Sequence, residues 1–204
     1  MQYNYPSREK IVLASKICEI RWHGRGGQGA VTVARIVAEA AFLKGYSGVT
    51  ATPSFGAERR GVPVSAATRI SREPIRVLSQ VVEPDIVVVL DQTLLAYSDV
   101  LDGLRKGGWL IVNSNRRPQD IGFNGKFNIA TADATSICRE LGLVVAGITL
   151  VNIAILGAFI LTTELVDMES VTEVLRERFP GKAMDTNLTA IRKTYEITKV
   201  KRRR

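Results

Sequence analysis

Apolar positions fall into two rhythms along this 204-residue chain. Residues 16–22 ("KICEIRW") alternate and predict a strand, whereas 30–44 ("AVTVARIVAEAAFLK") repeat apolar side chains every three or four positions and predict a helix ended by Gly45. Residues 48–52 read as a second strand, and 64–71 as a strand with one wet face. "DIVVVLD" at 85–91 is apolar without a break, the pattern of a central strand covered on both faces. A helix is predicted over 93–106, stopped by Gly107 and Gly108, then a strand "WLIVNSN" at 109–115. "FNIATAD" at 127–133 leads into a helix over 134–141, and amphipathic helices at 168–179 and 186–199 close the chain.

Strands alternating with helices imply an α/β fold: a three-layer α/β/α sandwich with a mostly parallel, mixed sheet. Its antiparallel member is the 64–71 strand. The length suits a single domain over 1–204, with a core at about 16–197 and a basic tail at 199–204. Residues 141–163 are apolar for long enough to imitate a membrane span. Glycines at 142, 147 and 157 divide them into a short strand near 143–145 and a buried helix from about 149, so no membrane role is expected.

Charge changes the picture, because a net charge of +8 and a pI near 9.8 favour an anionic partner. The tail "KVKRRR" would be a nucleic-acid footprint, but a solvated, frayed terminus accounts for it. Aromatics are only 6%, and no aromatic-studded basic strand is visible, so no nucleic-acid partner is expected and a nucleic-acid-binding protein stays only as an alternative reading. Cys18 and Cys138 lie far apart and His23 is the one histidine, which leaves no metal-ligand set. Buried, reduced thiols and the lack of an apolar leader in "MQYNYPSREK" point to a cytoplasmic protein.

Between the first strand and helix, "GRGGQG" satisfies the G-x-G-x-x-G spacing of a Rossmann-like phosphate loop, in which glycines let backbone N–H groups approach phosphate at a helix N-terminus. The dinucleotide fingerprint also needs an acidic residue at the next strand's tip, yet that strand ends in Thr52, Pro53 and Ser54. Glycines serving a tight turn alone would give the same spacing. A second loop, "PSFGAERRGVP", follows the second strand and should open at the same sheet edge. Arg25, Arg59 and Arg60 could converge there on a phosphate-bearing ligand, or Arg59 and Arg60 could form inter-subunit salt bridges. His23 reads as a structural strand-end residue or a ligand contact, and Asp91 as a cap for the helix after it. No Ser, His and Asp set emerges, so the chain alone does not look like a complete enzyme.

"HGRGGQGAVTVARIVAEAA" with "PSFGAERRGVPVSAATRIS" resembles the gamma subunit of pyruvate:ferredoxin oxidoreductase and its 2-oxoacid relatives. "DIVVVLD", "NIAILGAF" and "NLTAIRKTYE" extend the resemblance over roughly 17–196. Ala57 stands where a proline is expected, with no mechanistic consequence. The resemblance implies a complex with alpha, beta and delta subunits, in which thiamine diphosphate, Mg2+ and four-iron four-sulfur clusters sit on the other subunits and ferredoxin takes the electrons. It implies oxidative decarboxylation of a 2-oxoacid, most simply pyruvate, with coenzyme A; branched-chain and 2-oxoglutarate enzymes are the alternatives. The sites it marks for coenzyme A are Gly24, Arg25, Gly26, Gly27, Gln28 and Gly29, with Ser54, Phe55, Arg59, Arg60 and Gly61. A stand-alone nucleotide-binding protein is the competing reading of the glycine loop.

Overall fold

Strand β1 (Ile17–Arg25) alternates strictly, burying Cys18, Ile20 and Trp22 on one face and turning Glu19, Arg21, His23 and Arg25 to the other. The computed structural model describes residues 17–53, 60–76, 79–123 and 126–203. Helix α1 (Ala30–Leu43) packs on the apolar face of β1, where Trp22 lies 5.3 Å from Phe159 between ring centroids. Trp22 Nε1 donates to Thr68 Oγ1 at 3.0 Å and that hydroxyl donates to Ala34 O at 2.9 Å, so the buried polar atoms are satisfied while strand and helix are locked together.

The sheet contains β1, β2 (Gly48–Pro53), β3 (Pro63–Ser71), β4 (Ile86–Val89), β5 (Trp109–Asn113), β6 (Asn128–Ala132) and β9 (Lys199–Lys201). Its order is β2-β3-β1-β4-β5-β6-β9. Only β3 and β9 run against the rest. As expected, β3 is antiparallel and β4 is central, with all four of its residues buried; the wet face expected of β3 is absent, since Ala66 to Ser71 are all buried between β1 and β2. Chain order reverses at β1, which leads through α1 to β2 and β3 on one side while β4, β5 and β6 build the other. That reversal opens a crevice between the β1 and β4 ends.

All the α-helices feed the core on one face: α1, α2 (Ala134–Glu140), α3 (Val151–Ala154), α4 (Leu156–Thr163), α5 (Met168–Arg178) and α6 (Lys182–Ile197). The apolar stretch is thus a packed pair, α3 and α4, preceded by a hairpin of β7 (Val144–Val145) and β8 (Ile148–Thr149). Among the described residues, no helix is long and apolar enough to cross a membrane.

Three further expectations need correcting. The 93–106 helix is instead a pair of 3-10 turns, Gln92–Ala96 and Ser98–Leu101, separated by extended Tyr97. Asp91, Asp99 and Asp102 favour local turns over a continuous helix, and Leu94, Val100 and Leu104 cover Val87, Val89, Leu110 and Val112 without one. The outer layer on this face is therefore thin. The tail is not frayed: β9 pairs antiparallel with β6, Thr131 opposite Lys199 and Ile129 opposite Lys201. Arg203 N–H donates to Asn128 Oδ1 at 2.9 Å, which anchors the chain beyond the strand. Helix α6 also begins at Lys182, four residues earlier than expected.

Candidate functional site

The glycine loop and the second loop meet as expected, but mostly through main chain. Gly24 lies within β1, opposite Val64, and Gly26 N–H donates to Val62 O at 2.8 Å while Gly61 N–H donates to Gly26 O at 3.1 Å. These bonds continue the β1–β3 ladder past its end. Gln28 closes the turn from within, since its side-chain Oε1 accepts from Arg25 N–H at 2.7 Å and its N–H donates to Arg25 O at 2.8 Å. The N–H groups of Arg25, Gly26 and Gln28 therefore hold the loop's shape.

Gly27 and Gly29 have φ of 93° and 77°, and each is also closely approached. A Cβ on Gly27 would stand 2.7 Å from Ile148 Cδ1, and one on Gly29 would stand 2.4 Å from Asn152 Nδ2. The β7–β8 hairpin and α3 thus press on the loop where side chains are missing. Gly29 is the N-cap of α1 and has no side chain to cap it. Ala30, Val31 and Thr32 present first-turn N–H groups, which no helical acceptor can reach, beside a positive helix end.

Arg25 departs from the expected role. Its Nε pairs with Asp91 Oδ2 at 2.8 Å, one terminal nitrogen donates to Gly61 O at 3.1 Å, and the other donates to Thr93 Oγ1 at 2.8 Å. This guanidinium is a clamp between β1, β4 and the second loop, with each of its three nitrogens already donating one hydrogen bond. Asp91 caps the first 3-10 turn by accepting from Thr93 N–H at 2.9 Å, as its position predicts. Burial raises the Asp91 carboxyl pKa, but hydrogen bonds from Thr93 and Arg25 outweigh it and hold it below the usual carboxylate range.

Around this clamp the C-terminal ends of β1, β4, β5 and β6 enclose a crevice of about 730 Å3. Arg60, Gly61 and the glycine loop form one wall, and Arg139 with the hairpin residues Ala146, Gly147, Ile148 and Thr149 forms another. Its floor is an ordered polar layer: Asn113 Nδ2 donates to Leu90 O at 2.8 Å, Thr135 N–H donates to Asn113 Oδ1 at 3.2 Å, and Asp133 caps α2 through Ser136 N–H at 3.0 Å. Arg139 and the floor residues were absent from the sequence-based set. The polar groups "NSN" and "TADATS", each directly after an apolar strand, were the available signal. Ser54, Phe55, Glu58 and Arg59 lie outside the described residues.

His23 sits on the opposite face of the sheet from α1 and lines a separate groove of about 470 Å3 with Arg21, Asp99 and Asp102. Its Nε2 accepts from Arg21 Nε at 3.1 Å, and burial followed by the Arg21 charge lowers its pKa to about 4. The imidazole is neutral at neutral pH and belongs to the strand-end structure, one of the two roles its position suggests. Cys18 and Cys138 are buried and unpaired, and burial pushes the Cys138 thiol up to about 12. Both thiols are poor nucleophiles.

The family model described as pyruvate ferredoxin/flavodoxin oxidoreductase matches residues 19–197. The chain is 47% identical over 185 residues to the gamma subunit common to the pyruvate and ketoisovalerate oxidoreductases of Pyrococcus furiosus, covering 89% of this chain and 97% of the relative. It is 48% identical over 182 residues to the pyruvate synthase subunit PorC of Methanothermobacter marburgensis, with the same coverage, 89% and 97%. Its fold superposes with a TM-score of 0.79 on the crystal structure of the Thermotoga maritima pyruvate oxidoreductase subunit PORC, at 35% identity and covering 91% and 99% of the two chains. The chain therefore belongs to the pyruvate ferredoxin/flavodoxin oxidoreductase family, as a gamma subunit of its multi-subunit 2-oxoacid:ferredoxin oxidoreductases.

Proposed function

We propose that this gamma subunit serves a pyruvate:ferredoxin oxidoreductase, which converts pyruvate, coenzyme A and oxidised ferredoxin to acetyl-CoA, carbon dioxide and reduced ferredoxin, and that its crevice holds the ADP end of coenzyme A. The alpha, beta and delta subunits complete the enzyme and carry thiamine diphosphate, Mg2+ and four-iron four-sulfur clusters. Bound there, thiamine diphosphate supplies the carbanion chemistry of decarboxylation and the clusters accept electrons.

The observation that carries the reading is a 730 Å3 crevice lined by Arg60, Arg139 and the glycine-loop residues Gly26 and Gln28, which directly precede the uncapped N-terminus of α1. A pyrophosphate suits such a site: helix N–H groups and guanidinium forks are complementary to phosphate oxygens, and the crevice is roomy enough for a nucleotide. The polar layer at Asn113, Ser114 and Thr135 suits the hydroxyls and ring nitrogens of a nucleoside. Arg25 acts here by holding both loops, and Arg59 and Arg60 remain the proposed phosphate contacts of the second loop. In the intact complex, Arg59→Ala with Arg60→Ala should raise the KM for coenzyme A and leave that for pyruvate unchanged. An unchanged coenzyme A KM would overturn the assignment.

A second substrate has a specific ground, because the Pyrococcus relative is shared by pyruvate and ketoisovalerate enzymes. Assay of the native complex with pyruvate, 2-oxoisovalerate and 2-oxoglutarate side by side separates these possibilities. Comparable rates on pyruvate and 2-oxoisovalerate would make this gamma subunit a shared one.

A further inference from the structure

The basic tail forms the far edge of the sheet, and the crevice does not use it. Strand β9 is the last in the order, paired through β6 on one side, and exposes Lys199 and Val200. Its position is fixed at the outgoing end: Arg203 N–H is held by Asn128 Oδ1, and the Arg202 guanidinium lies 5.9 Å from the Trp109 ring centroid. Asn128 Nδ2 in turn donates to Gly107 O at 2.6 Å. The 3-10 turn Pro118–Asp120 packs against β9 and brings exposed Arg116 and Arg117 alongside it. Asp120 answers both arginines, through its side chain to Arg117 at 2.9 Å and its carbonyl to Arg116. Exposed Lys199 and Arg116, whose guanidinium meets the Asp120 carbonyl, thus add positive charge along this edge beside the Arg117–Asp120 pair.

We infer that the β9 edge is a docking site for an extended acidic segment of a transient protein partner. An edge strand presents main-chain N–H and C=O groups that an added strand can pair with, and lysines along it repel a basic strand while attracting an acidic one. Pairing along the three residues of β9 is too short for a permanent interface, which makes the partner transient. Nucleic acid fits less well. Trp109, the aromatic side chain at this edge, is 6% exposed beneath Arg202 and offers no stacking platform, and a phosphate backbone leaves the strand edge unpaired. Trp109, Asn128 and Gly107 mark the N-terminal ends of β5 and β6, opposite the crevice, so docking leaves the ligand site open and does not depend on the coenzyme A reading.

The test uses the assembled complex and a fluorescein-labelled peptide of alternating Glu and Val, followed by anisotropy. Wild type should bind it, more weakly as salt rises. Arg116→Glu, Arg117→Glu and Lys199→Glu together should weaken binding about tenfold or more, the sum of several screened pairs. The same peptide with alternate backbone nitrogens methylated keeps its charge but cannot pair with the edge, and it should lose binding without any change to the protein. Failure of wild type to bind, equal binding by the charge-swapped complex, equal binding of the methylated peptide, or tighter binding of duplex DNA at the same site would each overturn the inference.

Discussion

Arg25 and Asp91 join the ends of adjacent parallel strands by a 2.8 Å ion pair, and the same guanidinium reaches Gly61 O in the second loop. One residue read from the sequence as a ligand contact thus also braces the wall of the candidate site. Asp91→Asn keeps the size and the Thr93 contact but removes the charge, and should cost about 1 kcal/mol, since the pair is partly exposed to water. The Asp91 pKa is held below its ordinary 3.8, so its contribution is present above that value and lost as pH falls through the lower folded value. Melting temperatures of wild type and Asp91→Asn should converge below about pH 4. A constant difference down to pH 3 would remove the clamp from the argument.

His23 gives a second acid signature of opposite origin. Its folded pKa of about 4 lies below the ordinary 6.5, so the unfolded chain takes up a proton first and stability falls as pH drops from 6.5 towards 4. The loss is on the order of 2–3 kcal/mol, because burial disfavours the imidazolium more than Arg21's neighbourhood does. His23→Asn should flatten the stability profile over that window. As the sole histidine, it gives a single imidazole signal in an NMR titration, and a midpoint near 6.5 would contradict the geometry.

The Gly29 and Asn152 contact separates two reasons for a glycine. Gly29→Ala should destabilise by about 2–3 kcal/mol, combining left-handed backbone strain with a Cβ driven into the Asn152 side chain. Removing the obstacle with Asn152→Ala should recover part of that loss and leave about 1 kcal/mol for the backbone alone. Chemical denaturation of the four species in the cycle measures the coupling. Strict additivity would mean that Asn152 does not bear on the loop.

Part of this fold is legible in the sequence: the continuous apolar "IVVV" of β4 needs a central position, whereas the alternation read in β3 misleads, because pairing with β1 and β2 buries all of 66–71, polar Thr68, Arg69 and Ser71 included. The 92–101 segment misleads because Leu94, Leu95, Val100 and Leu101 carry helix-like spacing, while the Asp91 side chain caps a short turn at Thr93 N–H and extended Tyr97 interrupts the run. For the tail, composition signals solvent, whereas the unpaired edge of β6 and the Asn128 carbonyl create a partner that local sequence cannot reveal. At the site, the glycine loop and the convergence of two loops are readable. That Arg25 is already engaged is not, because Asp91 and Thr93 approach it from a strand 66 residues away.

Arg139 supplies the sharpest test of the crevice. It stands on α2, whose sequence carries no ligand motif, yet it lines the same crevice as Arg60 and the glycine-loop residues Gly26 and Gln28. If the pyrophosphate of coenzyme A lies in this crevice, the two guanidinium groups that line it, Arg60 and Arg139, each add a charge-assisted contact. Both are open to water, so each contact is worth about 1 kcal/mol, or roughly fivefold in affinity. Arg139→Ala in the intact complex should therefore raise the KM for coenzyme A about fivefold with kcat unchanged, the mark of lost ground-state binding. Arg139→Lys should recover only part of it, because a point charge cannot reproduce the fork. Desulfo-coenzyme A, which keeps the nucleotide but lacks the reactive thiol, should weaken as an inhibitor by the same factor. If its inhibition constant is unmoved while the KM for coenzyme A rises, Arg139 acts on the thiol end, and the nucleotide must be placed elsewhere.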